Sequence, residues 1–182
     1  MKIDLERVRA DTPACEEVLF LGTAGSSLPP APVLDAQLEF LKLEARVGGY
    51  RAREIELARL DGVYDSVARL LNCAPDEVAI TDNATVSWHA VFHGLNLKEG
   101  DRILTAEAEY ASNYISFLQL KERAGVEIVP VPSTATGELD VTALRALIDD
   151  RVRLIAVTHV PTNGGLVNPA EEIGKLAKAA GI

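Results

Sequence analysis

From residue 78 onward, short apolar runs alternate with segments patterned as helices, and this rhythm limits the fold more than any other feature of the chain. Val78-Ala-Ile-Thr81, Arg102-Ile-Leu-Thr-Ala106, Val126-Glu-Ile-Val-Pro-Val131 and Leu154-Ile-Ala-Val-Thr-His-Val160 read as strands. Residues 84–95, 112–124, 141–148 and 170–180 read as the helices that follow them, with apolar residues at helical spacing. Strands that alternate with helices form βαβ units with right-handed crossovers. The predicted fold is therefore α/β: a mainly parallel sheet with helices on both faces. In such sheets ligands gather at the carboxyl ends of the strands. Three loops are predicted at that edge: Asp82–Thr85, Glu107–Asn113 and Pro161–Gly165.

The first 80 residues follow a different pattern. Residues 1–19 read as an N-terminal arm with a weak helix at its start, and Leu19-Phe-Leu21 as a short strand. Residues 22–32 hold small residues and then prolines, which block helix and sheet alike. This loop is either a plain connector or a stretch of bare backbone laid against a ligand. A helix is predicted over 33–47, with Leu34, Leu38, Leu41 and Ala45 on one face, stopped by Gly48-Gly49. A second is predicted over 53–71, with Ile55, Leu60, Tyr64, Val67 and Leu71 turned inward.

Composition excludes several classes of function. A net charge of −9 argues against nucleic acid, whose phosphates call for a basic face. No apolar run is long enough to cross a membrane. The charged N-terminus is unlike a secretory signal, and Cys15 and Cys73 read as free thiols in a reducing cytoplasm. There is no G-x-G-x-x-G after the first strand and no Walker-type loop.

Asp82-Asn83-Ala84-Thr85 joins the first strand to the first helix of the alternating region. Unpaired N–H groups and the macrodipole make a helix start a good phosphate site. Thr85 adds a hydroxyl, and Ala84 lets an anion approach the backbone. The same residues are ordinary N-caps, so the stretch alone has both readings. His89 and His93 have a metal-binding spacing but no third ligand nearby in sequence, and helix packing is the preferred reading. His159 reads as a hydrogen-bonded core residue. No metal site is expected.

Four motifs in order carry a family resemblance: Phe20-Leu-Gly-Thr-Ala-Gly-Ser26, Thr81-Asp-Asn-Ala-Thr-Val86, Glu107-Ala-Glu-Tyr-Ala-Ser-Asn113 and Val157-Thr-His-Val-Pro-Thr-Asn-Gly-Gly-Leu-Val-Asn-Pro169. Together they resemble the N-terminal half of class-V aminotransferase family proteins. These are fold-type-I pyridoxal-phosphate enzymes that include cysteine desulfurases and isopenicillin-N-epimerase-like lyases. The resemblance implies that residues 20–182 are an incomplete large domain that binds pyridoxal 5'-phosphate. It implies that Asn83, Ala84 and Thr85 hold the cofactor phosphate and that Thr162 or Asn163 reaches the ring oxygen or a substrate carboxylate. Tyr110 is either the ring that stacks on the pyridine or a core tyrosine; cysteine desulfurases carry a histidine one place later, at Ala111 here. Ala24, Gly25 and Asn113 fall where substrate would bind.

The implied substrate is an amino acid, and the implied chemistry transamination, C–S lysis or epimerisation. The family's cofactor lysine, and the aspartate that pairs with the pyridine nitrogen, are expected beyond Ile182, so no catalytic residue is assigned and the chain alone is expected to be inactive. A cytoplasmic homodimer without nucleic-acid or membrane partners is expected of the full-length form. The alternatives are a non-catalytic α/β binding or scaffold domain that keeps the anion site at residues 82–85, or an unrelated α/β ligand-binding domain.

Overall fold

A computed structural model describes residues 3–23, 25–162 and 164–182, which form two compact units, residues 1–80 and 81–182. The second unit is built on the strand β1 (Arg102–Ala106), every residue of which is buried. β2 (Glu127–Val131) and β3 (Val152–Ala156) flank it, both parallel to it, in the order β2-β1-β3. Arg102 to Ala106 pair in register with Glu127 to Val131, while a shift after Arg102 sets Ile103 opposite Leu154.

Four helices belong to this unit: α5 (Ala84–Gly94), α6 (Ala111–Ala124), α7 (Val141–Leu147) and α8 (Ala170–Ala180). Because side chains alternate across a strand, β1 supplies two cores. Ile103 joins Phe92 of α5, Phe117 and Leu120 of α6, and Val126. Leu104 and Ala106 join Leu139, Leu144 of α7 and Ile173 of α8. Phe117 is fully buried and lies 5.5 Å from Phe92, centroid to centroid. The expected sheet with helices on both faces is thus present. Gly125 closes α6 in the left-handed region (φ 69°), as a C-terminal glycine does. Asp140 caps α7 by accepting from the N–H groups of Thr142 and Ala143. Pro130, which brings no N–H donor, sits in β2 at the edge of the sheet, where proline is tolerated.

At the amino end of the sheet the largely buried Arg102 donates from Nη1 to Asp149 at 2.8 Å and to the Leu147 carbonyl at 3.2 Å. Its Nε lies 3.3 Å from Glu127 without hydrogen-bond alignment. Desolvation acts to raise the Asp149 pKa. The Arg151 N–H and the Arg102 guanidinium outweigh it and hold the carboxyl below its ordinary value.

Two expected strands are different in the structure. The run 78–81 is not a strand: Val78 keeps extended backbone, but no described strand offers it a ladder partner. The strand expected over 154–160 is displaced to Val152–Ala156. Beyond Ala156 the backbone leaves the sheet because Asn168 takes over its polar groups. Its Nδ2 donates to the Thr158 carbonyl at 2.7 Å and its N–H to the His159 carbonyl at 2.8 Å. His159 is exposed, not a core residue.

The first unit is helical: α1 (Leu5–Ala10), α2 (Ala31–Val47), α3 (Gly49–Ile55) and α4 (Leu57–Leu71), with 3₁₀ turns at Pro13–Glu16 and Pro75–Glu77. The expected helix over 53–71 is interrupted at Glu56, which leaves helical geometry (φ −98°, ψ 11°). Leu19-Phe20-Leu21 is not a strand; Leu19 and Leu21 are almost wholly exposed. The stripes expected inward are also exposed: Leu34, Leu38 and Leu41 on α2, and Ile55, Leu60, Tyr64 and Leu71 on α3 and α4. Val67 is half-buried. Amphipathic spacing marks the face a helix needs covered, and nothing in the pattern names the cover. No helix among the described residues is long and apolar enough to cross a membrane.

Phe117→Ala is expected to destabilise the second unit by about 3–5 kcal/mol, read from denaturant unfolding, because both aromatic and strand contacts are lost. The Asp149 contribution has a defined pH window. With its folded pKa lowered, the stability it adds is full above the unfolded aspartate range near about 4 and is lost as pH falls through the folded value. The stability gap between wild type and Asp149→Asn should therefore narrow on acidification below about pH 4. A constant gap would refute the assignment.

Candidate functional site

The chain leaves β1 for β2 through α6 on one face of the sheet and returns through α7 on the other to place β3 on the far side of β1. A right-handed crossover forces this change of face whenever the direction of strand addition reverses. The reversal opens a crevice at the carboxyl ends of β1 and β3, the usual ligand position in such sheets. A cavity of about 230 Å³ lies there, lined by Ala108, Glu109, Tyr110, Ala111, Pro161 and Thr162.

Glu109 is the polar centre of this edge. Its Oε1 accepts from the Tyr110 N–H at 2.7 Å, from Asn113 Nδ2 at 3.1 Å and from Thr158 Oγ1 at 2.5 Å. Its Oε2 accepts from Thr105 Oγ1 at 3.3 Å. Asn168, almost wholly buried, ties the loop after β3 to the Leu139 N–H through its Oδ1 at 2.9 Å. Reading the residues singly missed Glu109, Thr158 and Asn168 as members of the site. Their spacing spans three elements, and the only available signal was that two of the four motifs hold them.

The start of α5 is the other stretch expected to meet a ligand. Asn83 caps the helix, its Oδ1 accepting from the Val86 N–H at 3.0 Å and its carbonyl from the Ser87 N–H at 3.1 Å. The hydroxyl of Thr81 contacts that of Ser87 and donates to the Asn83 carbonyl, fixing the turn. The N–H groups of Ala84 and Thr85 and the Thr85 hydroxyl have no hydrogen-bond partner among the described residues, and both residues are exposed. Two free donors, a hydroxyl and a methyl side chain fit a phosphate group. The α5 helix is held beside α6 by the His89 ring, whose Nε2 lies 3.3 Å from the buried Ser116 hydroxyl. His89 and His93 stack edge to face at 5.3 Å, and no group of three metal-ligating residues occurs among the described residues.

The other expected site residues fall in three places. Tyr110 and Thr162 line the same cavity. Tyr110 is 52% exposed, so the core-tyrosine reading does not hold. Asn113 is half-buried, its amide N–H committed to Glu109. Gly25 is exposed, in a turn of the first unit. Ala24 and Asn163 lie outside the described residues. The lysines at 42, 98, 121, 175 and 178 are all exposed, and Lys175 pairs with Glu171 at 2.6 Å.

The Aminotransferase class-V family profile matches residues 19–182. The chain belongs to this family. A cysteine desulfurase of Yersinia pestis bv. Antiqua (strain Angola) is 35% identical over 195 residues, covering 100% of this chain and 48% of the relative. Among solved structures, the apo cysteine desulfurase of Thermococcus onnurineus NA1 superposes with a TM-score of 0.85 at 30% identity, over 100% of this chain and 46% of that one. The cysteine desulfurase CsdA of Escherichia coli gives a TM-score of 0.87 at 25% identity, over 100% and 48%. The class-V chain thus spans about half the length of the relatives it matches.

Within this class-V chain, Asn83→Ala is expected to cost about 1 kcal/mol, the usual worth of an N-cap. Thermal unfolding measures it, and no loss would mean that the α5 start is held by other contacts.

Proposed function

We propose that this chain is the cofactor-phosphate-binding part of a pyridoxal-phosphate-dependent enzyme of cysteine desulfurase type that acts on an amino acid, with C–S bond lysis the favoured reaction. The observation that carries the reading is the start of α5, where the Ala84 and Thr85 N–H groups and the Thr85 hydroxyl have no hydrogen-bond partner among the described residues, in a turn fixed by the Asn83 cap. Similarity to cysteine desulfurases supports the substrate class.

When bound, pyridoxal phosphate supplies the electron sink for chemistry at an amino acid. The geometry supports the following roles for the chain's own residues. Ala84 and Thr85 hold the phosphate through their N–H groups, and Thr85 adds its hydroxyl. Asn83 contributes through its main chain, since its side chain is used by Val86. Tyr110 and Thr162, which line the cavity at the carboxyl ends of β1 and β3, would flank the cofactor ring. Asn163 is assigned beside Thr162, and Ala24, Gly25 and Asn113 to the amino-acid substrate. Ala111 stands where cysteine desulfurases carry histidine, so Tyr110 is the nearest aromatic side chain for the ring. The arm at 1–19 and the partial large domain at 20–182 belong to an assembled, cytoplasmic homodimer. The uncovered apolar stripes of α2 and α4 support such an assembly.

The test is cofactor binding by the protein as its gene encodes it. Thr85→Ala should weaken pyridoxal phosphate binding by about 1.5 kcal/mol, roughly tenfold, the scale of a hydrogen bond to a charged group. Binding of pyridoxal, which lacks the phosphate, should not distinguish the two proteins. Equal phosphate-ester affinity in the variant would remove the assignment.

A further inference from the structure

We propose that Glu109 is a positioning residue: its carboxylate clamps the loop after β1, the first turn of α6 and the segment after β3 into one wall of the cavity. The cofactor part of this inference rests on the function proposed above. The clamp itself rests on geometry alone.

Four donors from three elements converge on one side chain. Tyr110 and Asn113 belong to the start of α6, Thr105 to β1, and Thr158 to the segment that follows β3, 49 positions along the chain. The bonds from Tyr110 and Asn113 tie Glu109 to the start of α6. The hydroxyl of Thr158 links it to the segment after the neighbouring strand. All four donors are neutral, so an ionised acceptor strengthens each bond over a neutral pair. No ion pair draws Glu109 away among the described residues; the ion pairs of this unit that involve the sheet lie at its amino end.

The clamp reaches further through Thr158. The carbonyl of that residue accepts from Asn168 Nδ2, and Asn168 Oδ1 accepts from the Leu139 N–H. The chain of contacts Glu109–Thr158–Asn168–Leu139 therefore crosses from one loop at the sheet edge to the start of α7. Tyr110 and Thr162, which line the cavity, lie one residue from Glu109 and four residues from Thr158. Where those two held atoms sit decides where the lining residues sit. A loss of 1 Å in such placement has large effects on a site while leaving the fold intact.

Three variants of the protein as its gene encodes it test the inference: Glu109→Ala, Glu109→Gln and Thr158→Val. Glutamine keeps an Oε1 acceptor for Tyr110, Asn113 and Thr158, and its amide can donate to the Thr105 hydroxyl. Hydrogen–deuterium exchange without cofactor is the first readout. In Glu109→Ala, peptides covering 105–114 and 156–162 should exchange faster together, while the α5 peptide 84–94, which takes no part in this chain of contacts, stays at the wild-type rate. Glutamine should restore both. Thr158→Val, which removes only the link between the elements, should raise exchange in 105–114 as well.

The second readout is pyridoxal phosphate affinity, expected to fall about tenfold or more in Glu109→Ala and to stay within about threefold of wild type in Glu109→Gln. The inference is overturned if Thr158→Val leaves 105–114 unchanged, if glutamine is as impaired as alanine in exchange, or if Glu109→Ala binds the cofactor like wild type. Wild-type protein that binds no pyridoxal phosphate would sink the proposed function, and the exchange experiment would still decide the clamp.

Discussion

Everything in the second unit depends on β1 being buried on both faces and paired along both edges. A strand in that position has to pair its polar groups within the protein: the Thr105 hydroxyl donates to Glu109, and Arg102 Nη1 donates to Asp149 and a carbonyl, while of its buried side-chain polar atoms Arg102 Nε alone is left without a hydrogen bond among the described residues. The requirement for cover on both faces brings α5 and α6 to one side and α7 and α8 to the other. With the helices so divided, the chain has to reverse its direction of strand addition, and the reversal opens the crevice. The candidate site is thus a by-product of covering one hydrophobic strand.

Periodicity revealed most of this. Apolar runs bounded by Gly and Asp caps located β1 and β2, and all four helices of the unit fell within a residue or two of their expected bounds. Periodicity failed where the outcome depended on a partner distant in sequence. Val78–Thr81 has strand composition but no partner strand among the described residues. The run 154–160 lost its last residues to Asn168, a polar residue whose influence no hydrophobic pattern registers. The α2 and α4 stripes were recognised, but a stripe records a need for burial and does not say what fulfils it.

The same division holds for the site. The capped helix start at 83–85 is local, so a short stretch of sequence was enough to point to it. Glu109 was visible only as a member of a motif, because its significance comes from donors on β1, on α6 and after β3. Tyr110 had two readings in the sequence, and its exposure, a tertiary property, removed one of them.

Pro130 in β2 makes the two outer margins of the sheet unequal as templates. A strand with a proline interrupts the row of donors that another chain would need in order to add alongside it. β3 has no such interruption, and its Val152-Arg-Leu-Ile-Ala156 sequence has only Arg153 to discourage a neighbour. Lateral growth of this sheet, whether by a native strand or by aberrant self-association, is therefore directed to one side.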